Sequence, residues 1–472
     1  MEMNFIHRFV LASIITCGVL SWGACTTQTN NSNTATTQAI PSPSASPSPA
    51  SKETSSQLTL PVLDALLANE SFLHELKSQA QLTDKQIDSL KQIAGSEVAR
   101  LRQTNSEQMG GAAADARTRT RQQLTTILGE EKAQQLISLA TESWARGLDY
   151  SGETNEKEAP AAMPTTPNSV PGDTRVVVNI PAFRMDLFKN GSLIKSYKIG
   201  IGYPEFPLPQ GLRKAQSIIF NPTWTPPDSP WVATMKDISP GEKVEAGSKL
   251  NPLGPVKIPI GMPSLIHGGK SAAKLGQFAS HGCVGLTNTQ VKDFALLLAQ
   301  ASETELSDKS ITSYLDDKTR TKVVKLSQMV PVELRYETIV VEDGKLHIYK
   351  DVYEQGTNTE ENLQSVLAAH SSRLEDLSED ERRQALNALN AMSAHPKLAT
   401  VAYPQTDSAN SNSSEQTTVK KAKPTSSKKA AKNQKEIVVE IASLADKGYP
   451  APVNLDTGTG KPPATLAGRS RP

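Results

Sequence analysis

An α+β multidomain chain is predicted by three features of the sequence: a stretch with helical apolar spacing, a later stretch that alternates in period two, and polar, proline-rich segments around them. The helical signal covers roughly residues 58–150. In "LTDKQIDSLKQIAGSEVARL" the residues Ile87, Leu90, Ala94, Val98 and Leu101 recur at helical spacing, and Thr83 with Gln86 fits a capping box at the start. A second helix, "QQLISLATESWARGL", stacks Leu136, Ala140 and Trp144 on one face. The strand signal starts at "RVVVNIPAFRMDLFKNGSLIKSYKIGIG", where Asn190-Gly191 between two apolar runs predicts a β-hairpin. "QVKDFALLLAQA" reads as a helix from Gln290, and "VPVELRYETIVVEDGKLHIYKDVY" returns to strands around a turn at Asp343-Gly344. One β-rich domain over residues 174–353 accounts for these elements. A helical extension over 354–400 follows, in which "SEDERRQALNALNAM" carries a capping box at Ser378 and Glu381.

The remaining segments cannot bury a core. Residues 26–57 are rich in Ser, Thr and Pro and read as a disordered tether, residues 151–173 as a linker, and residues 401–472 as a mostly disordered tail. Lys420, Lys421, Lys423, Lys428, Lys429, Lys432 and Lys435 make that tail basic and read as a solvated linker. With 50 basic and 49 acidic residues the chain has a net charge of +1, which gives no global field to attract nucleic acid. At the N-terminus one arginine, Arg8, precedes the apolar run "FVLASIITCGVL", which is too short to span a bilayer as a helix and reads as part of a signal peptide over residues 1–25.

Cysteine usage singles out one position. The chain has Cys17 and Cys25 in the N-terminal apolar segment and Cys283 in "SHGCVGL". A lone Cys283 closes no intramolecular disulfide, and with His267 and His281 it falls short of the four ligands of a structural zinc site, so it is either a small core residue or a reactive thiol. His267 lies sixteen residues before it and His281 two before it. A histidine within hydrogen-bond reach converts a thiol into a useful thiolate. Gly282 permits a tight turn that points the N–H groups of Gly282 and Cys283 together, where they can hold an oxyanion.

"IHGG" followed by "SHGCVGL" resembles the signature of the L,D-transpeptidase (YkuD-type) catalytic domain: a histidine, a spacer, then Ser or Thr, His, Gly and Cys. "FPLPQGLRKA", "IIFNPTWTPP" and "NPLGP" are similar to segments that precede the active site in that family. The resemblance implies a β-sandwich-like domain with a capping helix, with Cys283 as nucleophile and His267 as its base. It also implies that His281 and Ser280 shape the loop, and that Gly268, Ser280 and Gly285 border the substrate. Because residue 268 is a glycine, only its backbone carbonyl is there to orient the imidazole. The implied substrate is the peptidoglycan stem peptide, acylated on Cys283 with loss of the terminal D-alanine and passed to an amine of another stem, with no cofactor and no metal. Water as acceptor makes an L,D-carboxypeptidase, and a degenerate domain makes a wall-binding scaffold. The sequence departs from the family at Gly285, where Arg or Asn is usual, which leaves open a weaker enzyme, a different acceptor, or a basic group from elsewhere, such as Arg213 or Lys214.

Two further resemblances bear on location and partners. "SWGAC", with Gly23 and Ala24 before Cys25, resembles the lipobox of bacterial lipoproteins, which implies a lipidated Cys25, a membrane anchor and residence in the periplasm. Thr26, in place of an aspartate, favours the outer membrane. Trp22 departs from the aliphatic residue usual there, which leaves ordinary signal cleavage or an uncleaved anchor open. "LTDKQ" resembles the LTxxQ repeat of small helical periplasmic chaperones, the alternative being a plain helical spacer.

Overall fold

The computed structural model describes residues 57–103, 113–148, 163–226, 236–239, 241–394 and 434–459. The expectations for the signal peptide, Cys25, the tether up to residue 56, the first part of the 151–173 linker and Lys420 to Lys432 fall outside these residues. Contacts divide the chain into residues 1–53 and 54–472, and everything described lies in the second unit. No helix among the described residues is long and apolar enough to cross a membrane.

Helices α1 (Leu60–Leu67), α2 (Glu70–Ser78), α3 (Asp84–Gln103), α4 (Ala113–Leu128) and α5 (Glu130–Arg146) make up the N-terminal region. Thr83 and Gln86 cap α3 reciprocally, at 3.0 and 3.3 Å. Leu63, Leu66, Leu90, Ala94, Leu136, Ala140 and Trp144 meet in one buried cluster, which is the face that the helical spacing predicts. The region docks on the segments that follow. Thr59 donates to the Glu205 carbonyl at 2.7 Å, Arg117 donates to the carbonyls of Tyr353 and Glu354 at 2.8 and 2.7 Å, and Leu148 exchanges backbone bonds with Met262.

The strands β1 (Arg175–Asn179), β2 (Arg184–Lys189), β3 (Ser192–Lys198), β4 (Ile201–Gly202), β5 (Gly211–Phe220), β6 (Val256–Pro259), β7 (Leu265–Lys270), β8 (Phe278–Ser280) and β9 (Val284–Thr287) are followed by helices α6 (Asn288–Ala301) and α7 (Asp308–Asp316) and strand β10 (Lys322–Arg335). Eight of these strands form one curled sheet in the order β3-β2-β1-β10-β5-β6-β7-β9, and β4 pairs with β8 beside it. The pairs β1·β10 and β7·β9 are parallel. Asn190 and Gly191, at φ 48° and 77°, close the β2–β3 hairpin in the conformation that their dipeptide favours. Helix α6 starts from a capping box of Thr287 and Gln290 and lays Val291, Phe294 and Leu298 on Ile258, Ile266, Val284 and Leu286 of the sheet.

Beyond β10 the chain departs from the sequence reading in two ways. Strands β11 (Ile339–Glu342) and β12 (Lys345–Tyr349) do not join the large sheet, and part of the expected disordered tail is folded. Helices α8 (Glu360–Ala369) and α9 (Glu379–Met392) and strand β13 (Glu436–Glu440) combine with β11 and β12 into a second module, a three-stranded antiparallel sheet covered by two helices. Leu346, Ile348, Leu363, Leu389 and Val439 form its core. The apolar run of β13 is too short to bury itself, and this pairing gives it a partner. Residues 453–456 then run along β3, with Ser196 donating to Val453 and Lys198 to Asp456, both at 2.9 Å. Asn168, in the expected linker, is also built in, donating to the Ile339 carbonyl and accepting from the Val341 N–H.

Charge holds the second module to the large sheet. Arg184 on β2 donates to Asp186 at 2.9 Å and to Glu342 of β11 at 2.6 Å, and Tyr449 donates to Asp186 at 3.1 Å, with all four side chains buried. Removing the guanidinium leaves two carboxylates buried together. Arg184→Met is therefore expected to cost about 3–5 kcal/mol in urea unfolding. A loss below about 1 kcal/mol, the worth of an exposed pair, shows that water reaches the carboxylates.

Candidate active site

Strand alternation sorts the residues of β7 and β9 into two faces. Ile266, Val284 and Leu286 enter the core, and His267 and Gly285, which are register partners, face the other way. Cys283, one residue ahead of β9, falls on the face of Gly285. Lys257 of β6 is the register partner of His267 on the other side. The parallel pairing thus sets the thiol and the imidazole on neighbouring strands, on one face.

Cys283 closes a tight turn with Ser280. Its N–H donates to Ser280 Oγ at 3.1 Å, and its carbonyl accepts the Ser280 hydroxyl. Gly282 in that turn has φ +84°, and a Cβ there would meet nothing nearer than the Pro207 carbonyl oxygen at 3.7 Å, so backbone conformation rather than crowding calls for glycine. The expected pair of oxyanion donors is corrected by this turn. The Cys283 N–H is engaged by Ser280, and the Gly282 N–H is the one without a partner among the described residues. His281 is exposed at the turn, with its ring edge-on to Phe206 at 4.5 Å and tilted on Tyr203 at 5.4 Å.

His267 is 4% exposed and its Nδ1 lies 2.7 Å from the Gly268 carbonyl oxygen. A carbonyl only accepts, so Nδ1 carries the proton and Nε2 is the basic nitrogen of the neutral ring, on which the Leu253 backbone also bears. A side chain at residue 268 is excluded, since its Cβ would stand 2.9 Å from Asn288 Oδ1 and from Val291 Cγ1. Burial, aided by the like charge of Lys270, pushes the imidazole down to about 3. Cys283 is half-buried as a residue, but its thiol faces the protein, and burial pushes it above the usual thiol value. The Leu265 backbone and the cations Lys270, Arg213 and Lys257 oppose that rise. At neutral pH the pair rests as thiol and neutral imidazole, a state in which Nε2 can accept a proton.

The supply of positive charge differs from the sequence expectation. Arg213 is buried and bound to the carbonyls of Ile260, Gly261 and Trp144, so it bears on Cys283 only through its field. Lys214 is the register partner of Pro331 on β10, three strands from Cys283. Lys270 and Lys257, neither of which the sequence reading named, add their charges to that field at the thiol. A Gly-Gly pair inside a strand, as in "IHGGK", is the signal of a bulge that re-aims the next side chain.

The neutral state of His267 has a consequence for stability. Its folded value lies below the unfolded value of about 6.5, so between those pH values the unfolded chain binds a proton that the folded chain does not. Stability falls as the pH drops through that window, by up to about 1.4 kcal/mol per pH unit. Urea unfolding at pH 7 and pH 4.5 is expected to show a smaller acid loss in His267→Gln than in the unaltered protein. Equal losses show that the ring is not held neutral.

Residues 173–324 match the family model YkuD, the L,D-transpeptidase catalytic domain. No curated protein matches the chain. Among solved structures, the Ldtfm–avibactam carbamoyl enzyme is 16% identical over 35% of this chain and 49% of that one, with a TM-score of 0.23. The catalytic domain of the E. faecium L,D-transpeptidase is 17% identical over 35% of this chain and 100% of that one, at 0.23. An L,D-transpeptidase in complex with imipenem is 19% identical over 34% of this chain and 58% of that one, at 0.21. The chain thus spans about half the length of the first of these. Over residues 173–324 the chain is thus similar to the L,D-transpeptidase catalytic domain of the YkuD family.

Proposed function

We propose that the protein is a peptidoglycan L,D-transpeptidase that works through a Cys283 thioester. The observation that carries the reading is the neutral His267, with Nδ1 on the Gly268 carbonyl, on the strand paired in parallel with the one that follows Cys283. Nε2 takes the thiol proton as Sγ attacks the carbonyl of the third residue of a stem tetrapeptide. The same imidazolium then returns the proton to the departing amine of D-alanine. An amine of a second stem attacks the thioester and loses a proton to Nε2, which restores the thiol and leaves a new amide. Water in place of that amine gives carboxypeptidation. Gly282 supplies an N–H to the developing oxyanion, a kind of contact worth about a hundredfold to a thousandfold in rate. The cationic face of Lys257 and Lys270 suits a substrate that carries carboxylates.

Imipenem and a tetrapeptide stem test this assignment. Cys283→Ala is expected to abolish both the imipenem adduct and release of D-alanine. His267→Ala is expected to be slow at pH 7 and to recover in part as the pH rises past about 8.5, and His281→Ala to lose less than His267→Ala. An intact, folded protein that takes no adduct and releases no D-alanine favours the scaffold reading.

For location we propose a lipid anchor on Cys25 in the cell envelope, supported by Gly23 and Ala24 before the cysteine. Cys25→Ala is expected to move the protein out of the detergent phase. Unchanged partition of that variant rejects the anchor.

A further inference from the structure

The strand that carries His267 is irregular. His267 stands opposite Gly285 and Lys270 opposite Thr287, so three steps along β7 match two along β9. The extra residue makes a β-bulge. Gly269, at φ +81°, sits in it, and a Cβ there would lie 2.5 Å from the Pro252 carbonyl oxygen. In a regular strand His267 and Lys270 would lie on opposite faces. The bulge cancels one step of that alternation and turns Lys270 onto the face of His267, Gly285 and Cys283.

The Lys270 side chain then runs across Gly285. A Cβ on Gly285 would come within 2.8 Å of Lys270 Cγ and 2.9 Å of its Cε. The backbone of Gly285 is outside the left-handed region, so its conformation is open to any residue. The lysine stem, and not the backbone, reserves the position for glycine.

Among the described residues the half-buried ammonium has no carboxylate partner. Lys274 from the following turn repels it, Lys257 of β6 and Arg213 of β5 bear on the same thiol, and His267 is neutral. Among the described residues, the group that can become an anion against Lys270 is Cys283. Taking an ammonium partly out of water is unfavourable unless an opposite charge forms beside it.

We propose that Lys270 is the charge-supplying residue of the site: its stem, laid over Gly285 by the β7 bulge, occupies the space of a larger side chain at residue 285, and its ammonium favours the ionised Cys283. It acts through the thiolate. It forms and breaks no bond, and the proton that leaves Cys283 goes to His267 Nε2. The inference rests on the acyl-transfer reading and deepens it by naming what ionises the nucleophile.

Alkylation of Cys283 by iodoacetamide across a pH series, in the full chain, reads the effect directly. The Cys283 peptide is followed by mass, so that Cys17 and Cys25 do not interfere. Lys270→Met keeps the stem and removes the charge, and the midpoint of the profile is expected to rise by about one unit or more. Alkylation at pH 7 then slows about tenfold, and Lys270→Arg is expected to restore much of the rate. Gly285→Ala approaches from the other side, because its methyl group pushes the lysine stem away, and is expected to shift the profile in the same direction. An unchanged profile in Lys270→Met, or in Gly285→Ala should Lys270→Met fail to fold, overturns the proposal. Iodoacetamide needs only a thiol, so the two readings fail separately. A Lys270-dependent profile in a protein that forms no imipenem adduct sinks acyl transfer and supports the role of Lys270.

Discussion

The parallel pairing of β7 with β9 is the contact on which the site depends. His267 and Cys283 are sixteen residues apart in the chain, and only the pairing of Ile266 with Val284 and of His267 with Gly285 brings them to one face. Register is enforced by the core side, where Ile266, Val284 and Leu286 lie under α6. A slip of one residue would drive His267 into that core and turn apolar side chains outward, so burial of the aliphatic face fixes the placement of the polar one. The Gly268–Gly269 irregularity is tolerated because Asn288, at the start of α6, accepts the Gly269 N–H at 2.7 Å.

Around this pair the protein holds a positively charged face. Burial favours the neutral forms of both reacting groups, and nearby cations favour the thiolate. These effects oppose each other, which keeps ionisation of the thiol sensitive to whatever enters the site. The rim is supplied by the N-terminal helices as well. Val98 and Leu101 of α3 pack on Tyr203 and Phe206, whose rings hold His281, and Leu148 and Trp144 reach the segment just before β7 through Met262 and Arg213. The helical region is therefore part of the wall of the site. At the far edge of the sheet, the buried charges of Arg184, Asp186 and Glu342 and the strand-like residues 453–456 hold the second module in place.

Much of this was legible locally. The helix faces, both capping boxes and the Asn190-Gly191 turn depend on residues a few positions apart, and sequence spacing reports such interactions directly. The fate of the β13 run was not legible, because a five-residue apolar strand has no meaning without its partner, and that partner, β12, lies about ninety residues upstream. The same holds for Asn168, whose partners are Ile339 and Val341.

By itself the sequence determined the chemistry on offer: a thiol at Cys283, two histidines near it in the chain, and a glycine turn that exposes a backbone amide. Only the tertiary structure decided how those groups are charged and which others join them. Ionisation depends on burial and on cations brought in by neighbouring strands, and these are properties of packing at long sequence separation. Lys270 shows the division most clearly. Its glycine neighbours are visible in "IHGGK", but which face it occupies depends on the register between β7 and β9, and that register is set by the core beneath them.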